Sequence, residues 1–411
     1  MNYRTYTLDN GLQILAECND QAHTSAFGFF VRAGSRDETS EISGVSHFLE
    51  HMVFKGTPNR SAAEVNLQLD EMGSSSNART GEESTIYHAS VLPEFQSDVV
   101  ELLTDIMRPS LRLEDFETEK KVIVEEIMMY ADQPPYGGYE QIMDAFFGDH
   151  PLGQSVLGTV QSVTELTPEA MRDYFRTRYS PSNMVLAAAG KIDFDALVTS
   201  VKQQCGLWQN FEASREPVRP NFNSGFATLH KPNSHQQYIL QLSPGASMEN
   251  ADRFASRVAA TILGDDAGSR FYWEFLDSGL AESAGVGANE YQGCGSIMTV
   301  VCCDPEEAQN NLSRMKNVIQ KAVEDGVTEK ELTMAKKKIA SHILLASERT
   351  ETRMFSVGTQ WLNRQEFRTP EQIADVYANV TLDEVNTALK TYPMDDPMTV
   401  VIGPRDDLVP A

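Results

Sequence analysis

Between Ser43 and Thr57 the chain reads SGVSHFLEHMVFKGT, and the placing of His47, Glu50 and His51 constrains this stretch more than any other feature of the sequence. A helix turns about 100° per residue, so residues four apart share a face. In helical form His47 and His51 point the same way and Glu50 sits beside them. Two imidazoles on one helical face make half of a zinc site. A carboxylate one residue before the second histidine is poorly placed as a third ligand, but it reaches a water at the metal. Zinc lowers the pKa of that water and the carboxylate takes its proton, which is what a metal-assisted hydrolase needs. The flanks suit a helix: Ser43 to cap it, Gly44 at the entry, Gly56 and then Pro58 to stop it. Phe48, Leu49, Met52 and Val53 supply an apolar side. The plainer alternative is a buried amphipathic helix whose histidines only complete a core, since a five-residue pattern also arises by chance.

The pattern H-x-x-E-H is the inverted zincin motif. HFLEHMVFKGT resembles the signature of the pitrilysin-type metallopeptidases, in particular the mitochondrial-processing-peptidase-like group. A second, independent match lies in ETEKKVIVEEIMMY, which is similar to the family's E-x-x-V-I-x-x-E frame from Glu119 to Glu126. The family's third ligand is a Glu about 75 residues past the second His, and Glu126 lies 75 residues after His51 (126 − 51). The resemblance thus implies one zinc per chain on His47, His51 and Glu126, with Glu50 as general base and Glu119 as a supporting acid. Helix geometry adds that Glu119 and Glu126, two turns apart, share a face, whereas Glu125 points well away from Glu119. Glu119 also reads as a solvated surface acid, because Glu114, Asp115, Glu117 and Glu125 surround it.

At 411 residues the chain exceeds one ordinary core, and 41% hydrophobic with 23% charged residues is the balance of a soluble globular protein. No apolar run approaches the roughly 20 residues that cross a bilayer, and Met1 to Asn10 lacks the basic and apolar regions of a secretory signal. The five cysteines, Cys18, Cys205, Cys294, Cys302 and Cys303, show no C-x-x-C spacing. They read as reduced thiols in a cytoplasmic protein. A net charge of −25, from 34 Lys plus Arg against 59 Asp plus Glu, argues against nucleic acid or an anionic membrane as partner. It would attract basic peptides, although acidic surfaces also serve solubility alone.

Along the chain, residues 3–18 read as a hairpin about Asp9-Asn10-Gly11, and 24–33 as an apolar strand. Ser61 caps a helix that ends at Gly73. In residues 74–92, Ile86, His88 and Ser90 alternate with Tyr87, Ala89 and Val91 as in a strand, and His88 reads as a strand histidine, not a ligand. The N-A-x-T run that precedes it looks like the family's substrate-binding edge strand, which implies that Asn77 and Ala78 bind peptide; Asn77 also suits a turn. Helices are expected at 93–107, 112–131, 136–147, Thr167–Tyr179 and 194–205, with a buried strand at 184–190. Residues 206–224 read as a linker. The second half repeats the first in outline: a strand-like His230–Ser243, a helix at 250–263 with no histidine, helices at 307–325, 328–347, 371–377 and 382–391, and a closing strand at 398–403.

These readings give an α+β fold of two similar domains, each a mainly antiparallel sheet packed with helices: 1–205 with the metal, a linker at 206–224, and a metal-free 225–411. By resemblance, the halves form a clamshell around a chamber, often in a homodimer or with a related chain, and favour extended or unfolded peptides. The family's second half carries S-R-L-F, then an Arg, then G-L-A-Y. Here Ser269-Arg270-Phe271-Tyr272 matches the opening, but Leu276 and Glu282 stand where the Arg and Tyr belong, and the stretch is one residue shorter. Arg270, Tyr272 or Tyr291 substitutes, or transition-state stabilisation differs, or activity is reduced; Arg270 equally reads as a surface cation. The expected function is a zinc endopeptidase. Its rivals are a non-catalytic assembly or peptide-binding subunit of the same family and one half of an obligate heterodimeric peptidase.

Overall fold

The computed structural model describes residues 2–411. The chain forms two compact units of similar α+β design. The first collects the chain up to Met128, then Gln154–Glu216 and Leu345–Arg368; the second holds Met129–Gly153, Pro217–Leu344 and Thr369–Ala411.

The first unit is built on a six-stranded sheet in the order β1-β2-β6-β3-β5-β4. Its strands are β1 (Asn2–Thr7), β2 (Gln13–Cys18), β3 (Ser25–Val31), β4 (Ser75–Thr80), β5 (Thr85–Val91) and β6 (Met184–Gly190). Among the described residues of this sheet, only β2 and β6 run parallel. The continuous apolar runs SAFGFFV and MVLAAAG become central strands buried along their whole length, as strands covered on both faces should be. The polar SSNART becomes β4 at the sheet edge, paired to β5 with Asn77 opposite His88 and Ala78 opposite Tyr87. The second unit has five strands in the order β7-β11-β8-β10-β9. They are β7 (Gly225–His230), β8 (Gln237–Gly245), β9 (Ser283–Tyr291), β10 (Cys294–Cys303) and β11 (Met398–Gly403). Here β7 and β11 are the parallel pair. The stretch His230–Ser243 is therefore not one strand. A turn at Lys231–Ser234, closed by Ser234 N–H to the Lys231 carbonyl at 3.0 Å, separates β7 from β8.

Each unit completes its sheet with a helix from the other half of the chain. A linear division at 206–224 places Tyr136–Phe147 and Thr350–Arg364 opposite to where they pack. Tyr136–Phe147 lays Ile142, Met143, Phe146 and Phe147 on Leu240, Leu242, Val400 and Ile402 of the second sheet. Gly138 allows this approach, because a Cβ there would overlap Ile402. Thr350–Arg364, to which the sequence reading assigns no element, covers the first sheet with Met354, Val357 and Leu362 against Leu15, Ala26, Phe30, Val185 and Ala187. Its pattern is hard to read because Gly358 and Arg353 occupy buried positions. Gly358 sits on the Phe30 ring, with no room for a side chain. Arg353 forms a two-pronged pair with Glu17 of β2, Nε donating to Oε1 at 2.8 Å. Three buried apolar side chains at about 1.5–3 kcal/mol each hold this helix down. The ion pair fixes its register. Among the described residues no helix is long and apolar enough to cross a membrane.

Arg353 and Glu17 are 5% and 4% exposed, so removing one partner strands a buried charge. Arg353→Met should cost about 3–5 kcal/mol in urea denaturation, and adding Glu17→Leu should recover most of that loss.

Candidate metal centre

The H-x-x-E-H stretch forms a helix from Val45 to Val53. Phe48, Leu49, Met52 and Val53 are buried as their spacing predicts, and Phe48 stacks on Phe116 with ring centres 4.6 Å apart. Phe116 belongs to the helix Leu113–Asp132, which carries Glu119 and Glu126. This contact joins the two helices that bear the candidate ligands. The helix start differs from the sequence reading. Ser43 is not the cap; Gly44 is, with φ 91° and ψ 0°, and it has no side chain to offer. The carboxylate of Glu38 takes over that task. It accepts the Gly44 N–H on Oε2 and the Ser46 N–H on Oε1, each at 2.7 Å.

Nε2 of His47 lies 3.9 Å and Nε2 of His51 3.6 Å from Oε2 of Glu126. One donor atom from each of the three residues fits within a 4.8 Å span. Nδ1 of His51 is 2.9 Å from Oε1 of Glu119. A carboxylate only accepts, so Nδ1 carries a proton, and in the neutral ring the lone pair is on Nε2, the atom that faces Glu126. Lys55 Nζ lies 2.6 Å from the other Glu119 oxygen. Glu119 is thus a buried acid with two partners rather than a solvated surface group. Nδ1 of His47 is buried without a hydrogen-bond partner among the described residues. Oε2 of Glu50 accepts the Thr80 hydroxyl at 2.5 Å, which ties the motif helix to the end of β4. Glu125 is exposed, apart from Glu126.

The electrostatics divide the two imidazoles. Burial, with His51 beside it, pushes His47 down to about 3. Burial also acts against the charge of His51, but Glu119, Glu126 and Glu50 outweigh it and raise its pKa. Burial raises Glu50, partly offset by Thr80. Glu119 is lowered overall: burial opposes its charge, and His51 and Lys55 more than compensate. A neutral imidazole, an imidazole with its tautomer fixed, and a carboxylate are a donor set suited to a divalent ion, zinc among them.

The remaining candidate residues fall as follows. Asn77 and Ala78 lie on the edge strand, where Asn77 Oδ1 accepts the Ala78 N–H at 2.8 Å. His88, on β5, faces Glu351 at 3.2 Å and not the triad. Arg270 belongs to the second unit. Its Nε donates to Glu331 at 2.7 Å and its Nη2 to the Gly326 carbonyl at 2.8 Å, bonds that describe a structural cation. Leu276 packs against the second core, as does Tyr291 against Phe147. Sequence reasoning missed Lys55, Thr80 and Glu38. Lys55 was within reach, being one turn past His51 on the same face. Thr80 and Glu38 arrive from outside the helix, and no local spacing marks them.

Comparison with known proteins places the chain in a family. Residues 13–160 match the family described as Insulinase (Peptidase family M16), and residues 165–339 match the Peptidase M16 inactive domain. A Mycobacterium bovis protein described as an uncharacterized zinc protease is 32% identical over 98% of this chain and 93% of its own. The fold matches a protease from Helicobacter pylori with a TM-score of 0.91 at 19% identity, covering 98% of this chain and 99% of that one. It also matches a chain of complex III2 from Candida albicans with a TM-score of 0.86 at 17% identity, covering 99% and 97%. The chain belongs to peptidase family M16, the pitrilysin family.

The Arg270–Glu331 pair gives a test of the structural assignment. Burial alone would raise Glu331, but its bonds to Arg270 and Thr328 bring it down to about 2. A carboxyl held below its ordinary 4.5 contributes stability that is complete above that pH and is lost as pH falls toward 2. The difference in Tm between wild type and Arg270→Met should be constant above about pH 5 and shrink between pH 4.5 and 2.

Proposed function

We propose that this chain is a zinc-dependent endopeptidase acting on extended or unfolded peptides. The observation that carries this reading is the convergence of His47 Nε2, His51 Nε2 and Glu126 Oε2. These atoms would hold one zinc ion. When bound, zinc supplies a Lewis acid that polarises a peptide carbonyl and acidifies water. The rest falls to the chain. Glu119, bonded to Nδ1 of His51, fixes the tautomer and ring orientation that would offer Nε2 to the metal. Thr80 occupies Oε2 of Glu50, so Oε1 is the atom left to take a proton from the attacking water and hand it to the leaving amine nitrogen. The substrate backbone would pair with the free side of β4 near Asn77 and Ala78, as strand addition to a sheet edge. The five free cysteines suit a reducing, cytoplasmic setting.

A second reading is favoured by Leu276 and Glu282, which stand where the family carries an Arg and a Tyr. On that reading the chain binds peptide without cutting it, or works beside a related chain that supplies those groups. Cleavage of a pool of unstructured peptides, read by mass spectrometry, separates the two. Glu50→Gln should keep one zinc per chain and lose hydrolysis by about 10²–10⁴-fold, whereas His51→Ala should lose the zinc as well. Equal cleavage by wild type and Glu50→Gln, or zinc-loaded wild type that binds peptides and leaves them whole, would overturn the peptidase reading.

A further inference from the structure

The loop that joins β3 to the motif helix carries three consecutive ionisable side chains, Arg36, Asp37 and Glu38, and burial pushes the Glu38 carboxyl up to about 8. Arg36 and Glu38 are 6% and 5% exposed, and the Asp37 side chain is 1% exposed. Buried charges cost several kcal/mol each unless paired and hydrogen-bonded. None of the three lies among the candidate ligands. Each has a built partner. Arg36 pairs with Glu83 at 2.6 Å. Asp37 Oδ1 accepts from Arg215 Nε at 2.8 Å, Oδ2 accepts a further Arg215 bond, and Arg178 stands 3.3 Å away. Glu38 holds the first turn of the motif helix through the Gly44 and Ser46 N–H groups.

Arg215 comes from the irregular stretch between β6 and β7 that the sequence marks as a linker. Its guanidinium does more than neutralise Asp37, because Nη2 also donates to the Glu83 carbonyl at 2.8 Å. Glu83 sits in the turn between β4 and β5. The backbone of the charged loop is bonded to that turn through Arg36 N–H to the Glu82 carbonyl at 2.8 Å. At the end of β4 that enters this turn, Thr80 holds Glu50. The linker cation therefore clamps two segments that both end on the motif helix, one at its first turn and one at Glu50.

We propose that Glu38 is the positioning residue of the metal-binding helix, and that Arg215 acts through Asp37 to hold the loop that carries it. Ser46 directly precedes His47, so a shift of this first turn moves both imidazoles relative to Glu126. Functional constellations tolerate only about 0.5 Å of such error. Zinc affinity thus depends on a linker residue that touches no ligand. This inference rests on the zinc reading of the site.

The test measures zinc dissociation constants by chelator competition, and the visible spectrum of the cobalt(II)-loaded full chain. In Glu38→Gln the size is kept, but an NH2 group replaces one acceptor oxygen and one helix N–H loses its partner. Arg215→Met releases Asp37 and the Glu83 carbonyl without touching the helix. Both should weaken zinc binding about 10–100-fold and alter the cobalt spectrum. Arg215→Lys, which keeps the charge but loses the fork, should restore affinity in part. Arg353→Met is the control: its Tm should fall with no change in zinc affinity. Variants that lose Tm but bind zinc as wild type does would overturn the proposal while leaving the metal site intact. Wild type that binds no zinc would instead overturn the site reading itself.

Discussion

A nine-residue helix has to bury one side in a core and hold two imidazoles and a carboxylate in register on the other. That constraint organises the first unit. Its apolar side is gripped by Phe116 of the helix that brings Glu119 and Glu126, so one contact sets both the packing and the distance between ligand-bearing faces. Its N-terminus, whose N–H groups have no partner within the helix, is closed by Glu38 from the preceding loop. Its Glu50 is tied to the edge strand. Hydrophobic packing supplies the energy, and the buried polar bonds supply the position.

The exchanged helices show the same division of labour. Two helices that follow one another's sheets in the chain complete the opposite units, and each does so with apolar side chains at helical spacing plus a glycine where the backbone meets a core residue. The Glu17–Arg353 pair adds little net energy by comparison with its apolar neighbours, since desolvation offsets much of its attraction. What it adds is register, because a half-turn slip of the helix would strand both charges.

The candidate metal ligands are legible because the spacing of His47 and His51 is set by a single helix, and because Glu126 lies in a frame that repeats the same helical logic two turns from Glu119. The central strands were legible from unbroken apolar runs. Three features escaped for physical reasons. Helix Thr350–Arg364 hides its buried face behind Arg353 and Gly358, which composition reads as polar surface and breaker. The Glu38 cap is a long-range substitute for a side chain that Gly44 lacks. Ser43 is the residue local statistics favour for that role. The strand expected at His230–Ser243 crosses a turn that Pro232 and Asn233 do signal, and the apolar run Tyr238–Leu242 draws the expectation past it. Arg270 was read both as a substrate contact and as a surface cation, and its bonds to Glu331 and Gly326 fit the second.

The proposed centre has two histidine nitrogens and one carboxylate holding a single zinc. X-ray absorption at the zinc edge, on full-length chain loaded to stoichiometry, tests it without reference to turnover. A zinc on His47, His51 and Glu126 would appear as about one tightly held ion per chain with only nitrogen and oxygen neighbours, the histidine nitrogens at about 2.0–2.1 Å, and its signal would be lost in His47→Ala. A sulfur shell near 2.3 Å, which would place the metal on cysteines, or an unchanged signal in His47→Ala, would contradict it.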